Sequence, residues 1–187
     1  MNKVYIAVPT NGLIKAMTTF SLFQTAVDAP CEVSLGLRLS CDVVGNRNWL
    51  VNDAIAKGCS HVLFVDSDMA FSSDTLKRLL AHEKDIVGTA PNHRRFPLET
   101  TVRFSKDQEP VLPKELFTCD AVGTGLLLIK TDVFYKLEKP YFAFEYDEEG
   151  VLKKGEDVRF CHKARDIGFE IWCDPTIEVG HIGDFIF

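Results

Sequence analysis

Apolar and polar positions along the chain follow two rhythms. Residues 3–8 form an apolar run halted by Pro9, which reads as a buried strand. Over residues 11–27, Leu13, Ile14, Met17, Phe20 and Val27 recur at helical spacing. Alternation of Val33, Leu35 and Leu37 predicts a strand over residues 32–39. A helix is predicted over 45–57, carrying Trp49, Leu50, Ala54 and Ile55 and closed by Gly58. Residues 61–65 are again unbroken apolar sequence, followed by a helix over 73–82 and a strand over 85–89. This β-α-β-α-β-α-β order predicts a parallel sheet covered by helices.

The rhythm then loosens. Residues 91–113 are rich in charge and proline, with one short strand expected at 100–104. Residues 121–129 read as a buried strand with Gly123 and Gly125 at its start, followed by a short helix over 132–137. Residues 140–154 are aromatic and acidic, as expected of a loop or hairpin over a site. A helix over 156–167 ends at Gly168, a last strand covers 169–173, and the sequence closes on Gly180-His181-Ile182-Gly183-Asp184. One α/β domain is expected, with a nucleotide-binding half (1–90) and a more irregular substrate half (91–187).

With 187 residues and 46% hydrophobic content, the chain is long enough for a full core. The net charge of −6 gives no general attraction for nucleic acid or an anionic membrane, so an anionic ligand needs local groups or a metal. No run approaches the roughly 20 apolar residues of a membrane span, and the first apolar segment is too short for a signal peptide. Six cysteines (31, 41, 59, 119, 161, 173) show no CxxC or zinc spacing. They are expected as reduced thiols in a cytoplasmic protein.

The chemistry concentrates where the 61–65 run ends in Asp66-Ser67-Asp68. In open α/β sheets, ligands bind in the crevice beyond the carboxyl ends of the strands. Two like charges about 4 Å apart repel by roughly 4 kcal/mol at an effective dielectric near 20. A divalent cation relieves that repulsion. The alternative is helix capping, since Ser73-Asp74-Thr75 follows closely.

Taken in order, several motifs resemble the GT-A class of nucleotide-sugar glycosyltransferases, in its family 2-like branch. Val8-Pro9-Thr10 resembles that family's first-strand turn against the nucleotide base. Gly45-Asn46-Arg47-Asn48, running into Asp66-Ser67-Asp68, resembles its Arg-Asn helix and DxD motif. Gly123-Thr124-Gly125, Gly155-Glu156-Asp157 and Gly180-His181 follow in the family's order. The resemblance implies a GT-A (Rossmann-like) fold with a mixed, mostly parallel central sheet and helices on both faces. It implies a hexosyltransferase using a nucleotide-sugar, with a UDP-sugar the expected donor, and Mn²⁺ or Mg²⁺ as cofactor.

Residue by residue, Asp68 and His181 are then expected as metal ligands, with Asp184 as a substitute. Asp66 supports ribose and the metal. Pro9, Thr10, Arg47, Asn48 and Ser67 are expected at the nucleotide, and Gly123, Thr124 and Gly125 at the sugar and acceptor. Asp157, with Glu156 beside it, is the base if the reaction inverts configuration, and orients substrate if it retains. Each has a plainer reading: helix capping for Glu156 and Asp157, a bulge for the glycines, a solvated helix face for Arg47 and Asn48. Arg94 and Arg95 are expected either to reach a phosphate or to lie on the surface. Phe142, Phe144 and Tyr146 are expected as an acceptor wall, and Trp172 as core.

Three departures bear on substrate. No aspartate cleanly follows the second strand to read the base, Met69 rather than another acid follows the DxD, and no QxxRW-type motif is present. Single transfer to an acceptor outside the membrane is expected, be it a small molecule, a glycan, a protein or a modified DNA base. Two alternatives stand: a haloacid-dehalogenase-like, Mg²⁺-dependent phosphatase with Asp66 as nucleophile, and a non-catalytic sugar-binding domain.

Overall fold

The computed structural model describes residues 2–94 and 96–183. Strand β1 (Lys3–Thr10) is flanked in parallel by β2 (Glu32–Leu39) and β3 (His61–Val65). Side chains of β1 and β3 are buried on both faces, which is why these strands read as unbroken apolar runs. The remaining elements are α1 (Ala16–Val27), α2 (Val43–Ala56), β4 (Met69–Phe71), α3 (Thr75–Ala81), β5 (Ile86–Thr89), β6 (Phe117–Cys119), β7 (Leu126–Lys130), α4 (Thr131–Lys136), β8 (Glu145–Tyr146), β9 (Leu152–Lys154), α5 (Glu156–Asp166), β10 (Ile171–Asp174) and β11 (Val179–His181).

The main sheet has seven strands in the order β2-β1-β3-β7-β5-β10-β6. β7 is antiparallel to both β3 and β5, and β6 is antiparallel to β10. The other strands share one direction, so the sheet is mixed but mostly parallel. The expected β-α order runs on through α3 to β5, which shares the direction of β3, but β7 inserts antiparallel between those two strands. Two short ribbons stand apart, β4 with β11 and β8 with β9.

Period-two alternation splits the core between the two faces of the sheet. Tyr5, Ala7 and Phe64 face a cluster with Leu50 of α2, Phe134 of α4 and Phe160 of α5. Val4, Ile6, Val8 and Leu63 face the other, with Leu22 of α1 and Leu76 and Leu79 of α3.

Several sequence expectations need correction. The first helix begins at Ala16 rather than residue 11, and its stripe of Met17, Phe20 and Val27 is exposed, as is Leu13 before it. Its buried face is Thr18, Ser21, Leu22 and Thr25. The reason is hydrogen bonding to main chain beneath. Ser21 Oγ donates to the Phe71 carbonyl (2.8 Å) and accepts from the Phe71 amide (3.0 Å), and Thr18 Oγ1 donates to the Ser67 carbonyl (3.1 Å). Trp49 lies on the outside of α2, where Arg38 covers its ring at 4.7 Å. Residues 100–104 form no strand, only bridges at Thr100 and Arg103, and the strand expected from 121 begins at Leu126. Phe142 is no surface wall. It is fully buried, stacked on Phe160 at 4.8 Å and edge-on to Phe64 at 5.2 Å.

Candidate functional site

A cleft of about 380 Å³ opens at the carboxyl ends of β1, β2 and β3, the crevice where this architecture places ligands. Pro9, Thr10 and Asn11 continue from β1, and Ser40 and Cys41 continue from β2. Asp66, Ser67 and Asp68 form the turn after β3, closed by the Met69 amide donating to the Asp66 carbonyl at 3.2 Å. Asn46 and Arg47 project from α2, Arg94 comes from the loop after β5, and His181 comes from β11.

His181 reaches the turn through the two-stranded ribbon. β11 pairs antiparallel with β4, setting His181 opposite Met69, and the Ile182 amide donates to the Asp68 carbonyl at 2.8 Å. Ser67 is held from the opposite side, its carbonyl accepting from the Lys15 amide at 2.8 Å. The Asp66–Asp68 turn is therefore clamped between the start of α1 and β11.

Each carboxylate has its own cation. Arg47 is 3% exposed; its Nη2 donates to Asp66 Oδ1 at 2.9 Å and its Nε to Glu156 Oε1 at 3.3 Å. Burial opposes the charge on Arg47, but Asp66, Glu156 and Asp157 together outweigh it and hold the guanidinium firmly protonated. Its Nη1 is buried without a partner. Arg94 Nη1 donates to Asp68 Oδ2 at 2.8 Å, in a more exposed pair. Repulsion between Asp66 and Asp68 is thus offset by two guanidinium groups, so the pair does not by itself demand a metal ion.

His181 is more telling. Its Nδ1 lies 3.1 Å from the Asn92 carbonyl, which only accepts, so Nδ1 carries a proton. Its Nε2 faces Asp68 Oδ2 at 3.5 Å. Two electron-rich atoms face one another there unless a proton or a metal ion lies between them. The hydrogen bond to Asp68 outweighs burial and raises the His181 imidazole above its ordinary 6.5. Burial pushes the Asp68 carboxyl up, but His181 and then Arg94 hold it below its ordinary 3.8.

Among the described residues, no group of three or more His, Cys, Asp and Glu side chains is gathered around a metal position. The expected trio therefore reduces to Asp68 and His181, with Asp66 Oδ1 turned to Arg47. Asp184 and Arg95 lie outside the described residues.

The other expected site residues fall in two groups. Gly123, Thr124 and Gly125 precede β7 and lie between the two acidic centres. A Cβ on Gly125 would sit 3.6 Å from Asp66 Oδ2, and one on Gly123 would sit 3.7 Å from Asp157 Oδ2. The Asp66 amide donates to the Gly125 carbonyl at 2.9 Å. Glu156 and Asp157 open α5, joined to the cleft through Arg47, while Asp157 Oδ1 accepts from the Val158 amide at 2.7 Å. Asn48 turns away instead. Its amide bonds the main chain of Tyr141 and Phe142 (2.8 to 3.2 Å), a fastening of the 140s segment to α2. Asn46, two residues earlier, lines the cleft in its place. Asn46 was missed because two asparagines flank Arg47 and the sequence alone does not say which faces inward.

No protein-family model and no curated protein matches the chain. Among 225 matching chains of known structure is A197 from STIV, with a TM-score of 0.71 and 18% sequence identity, covering 98% of this chain and 87% of that one. The likeness establishes the fold alone. It extends over nearly the whole chain, so the irregular second half belongs to the same architecture as the first.

Proposed function

We propose that this protein is a metal-dependent glycosyltransferase of GT-A type, moving a hexose from a nucleotide-sugar to a hydroxyl acceptor. The observation that carries the reading is the meeting of Asp68 and His181 at the rim of the β1–β3 crevice, with Arg94 beside them. One carboxylate and one imidazole form a donor set that suits Mn²⁺ and, less well, Mg²⁺, leaving positions for phosphate oxygens and water. The bound cation would neutralise charge on the departing nucleoside diphosphate.

The chain's own groups supply the rest. Pro9, Thr10 and Asn46 line the end of the cleft suited to a nucleoside. A diphosphate offers Arg94 a bidentate partner in exchange for Asp68. Arg47 holds Asp66 and Glu156 together, fixing the start of α5 relative to the turn after β3. Asp157 lies across the Gly123–Gly125 turn from Asp66, and in an inverting reaction it takes the acceptor hydroxyl's proton. Phe144 and Tyr146, exposed and edge-to-face at 6.2 Å, are the aromatic surface offered to an acceptor. The described residues contain no helix long and apolar enough to cross a membrane, and the six cysteines are free thiols, which favours a reducing, cytoplasmic setting.

A panel of nucleotide-sugars with and without Mn²⁺ tests the reading by thermal shift and by release of nucleoside diphosphate. Mn²⁺-dependent stabilisation and turnover are expected, both lost in Asp68→Ala, with Asp157→Asn losing turnover but not stabilisation. Phosphate release from an aryl phosphate, without nucleotide-sugar binding, would point to the phosphatase. Stabilisation by free sugars alone would point to a binding domain.

A further inference from the structure

The helix α1 is apolar on the wrong side. Phe20, Phe23 and Val27, with Met17 on their flank, lie opposite the buried Thr18/Ser21/Leu22/Thr25 face, and each is more than half exposed. All twelve residues of α1 are uncharged, on a chain with net charge −6. On the sheet face that α1 packs against lies a second bare surface. Leu35 and Leu37 of the edge strand β2 pair in register with Ile6 and Val8, so they share the sheet face on which Leu22 of α1 packs. Both are nevertheless 53% exposed, and Leu39 is 66% exposed. α1 fastens instead onto β4 and Ser67, leaving the leucines of β2 as an uncovered shelf.

From this geometry we infer that the chain forms a two-fold dimer in which α1 of each copy seats its Phe20/Phe23 ridge on the β2 leucine shelf of the other. The two helices then lie side by side in one layer between two sheets, each packed on its own sheet by one face and on the partner sheet by the opposite face. A second copy is the occupant because ridge and shelf occur together on one surface, the self-complementarity a two-fold contact requires. At about 200 Å² per large side chain and with 53–68% of each exposed, the seven residues present on the order of 800 Å². That matches the roughly 800 Å² each partner contributes to a standard interface, and exceeds the largest patch of a typical monomer, ~300–600 Å². Charge depletion at the centre is likewise the compositional mark of an interface.

Sedimentation velocity across a concentration series tests this on the full chain. The expected wild-type species is twice the 21.0 kDa chain mass. Phe23→Asp on the ridge and Leu37→Asp on the shelf should each weaken the dimer at least about thirtyfold, as loss of a central contact does. Both positions are exposed, and urea unfolding verifies that each variant is folded. A wild type that stays monomeric to about 200 µM, including one that instead floats with lipid vesicles, overturns the inference. So does a dimer that survives either substitution. The outcome is independent of sugar transfer, which is read separately from nucleotide release.

Discussion

Arg47→Met removes a cation that the turn after β3 shares with the start of α5. Arg47 is almost wholly enclosed and its partners Asp66 and Glu156 are 32% and 14% exposed at the side chain. Removing one partner from a buried ion pair costs about 3–5 kcal/mol, because the remaining charges stay desolvated. Water reaches Asp66, so the low end applies, about 3 kcal/mol. In a domain of this size that corresponds to a fall in Tm of roughly 6–12 °C. Arg47→Lys keeps the charge but offers no planar fork to two carboxylates at once, and should lose about half as much. Urea unfolding followed by the fluorescence of Trp49 and Trp172 measures both, and a double-mutant cycle with Glu156→Gln isolates the pair. If Arg47→Met shifts stability by less than about 0.5 kcal/mol, in the range of an ordinary surface change, the bridge does not organise the site and the argument for it fails.

Asp174 offers a pH test. Burial pushes its carboxyl up, but Thr176, His82 and Arg78 prevail and hold it below its ordinary 3.8. A carboxylate with a depressed folded value adds stability above its unfolded value and loses it as pH falls through the folded one. Asp174→Asn should therefore cost about 1.5–3 kcal/mol at pH 7, where charged hydrogen bonds are lost. The gap to wild type should close on titration below 3.8, as read by denaturant unfolding at several pH values. Glycine substitutions separate crowding from backbone strain. In Gly36→Ala the new methyl lands on the buried Tyr5 ring and hydroxyl, with an expected loss of about 2–3 kcal/mol. In Gly58→Ala nothing lies within 4 Å, so only its φ of +64° is strained, and about 1 kcal/mol is expected. Equal losses in thermal melts would refute that distinction.

What the sequence disclosed depended on whether periodicity or partnership decides a feature. β1 and β3 were legible because burial on both faces leaves an unbroken apolar run, and Asp66 and Asp68 were legible because charge interrupts one. The inside-out α1 was not. Helical spacing of Met17, Phe20 and Val27 reports a stripe without reporting its direction, and hydroxyl bonds from Thr18 and Ser21 reversed the expected orientation. The carboxylates' partners were equally hidden. Arg47 to Glu156 and Arg94 to Asp68 are contacts between distant segments, and the three-residue strands that bring His181 to Met69 are too short to leave a period. Phe142 was misplaced because an aromatic in an acidic stretch looks exposed until its stacking on Phe160 is seen.

The reversed strand β7 has a consequence for how such a chain can vary. Val65 at the end of β3 pairs with Leu126 at the beginning of β7, so the chain leaves β5 and re-enters the sheet on the same rim as the cleft. The described residues between 90 and 125 add only the short edge strand β6 to the sheet, and at their end the Gly125 carbonyl accepts from the Asp66 amide. Lengthening such a loop costs little entropy, and no core strand between β1 and β5 need shift to accommodate it. The residues directly after β7, in α4, by contrast emerge at the opposite rim, away from the cleft. Ligand preference can therefore diverge within 90–125 while the Arg47 bridge and the sheet beneath it stay unaltered.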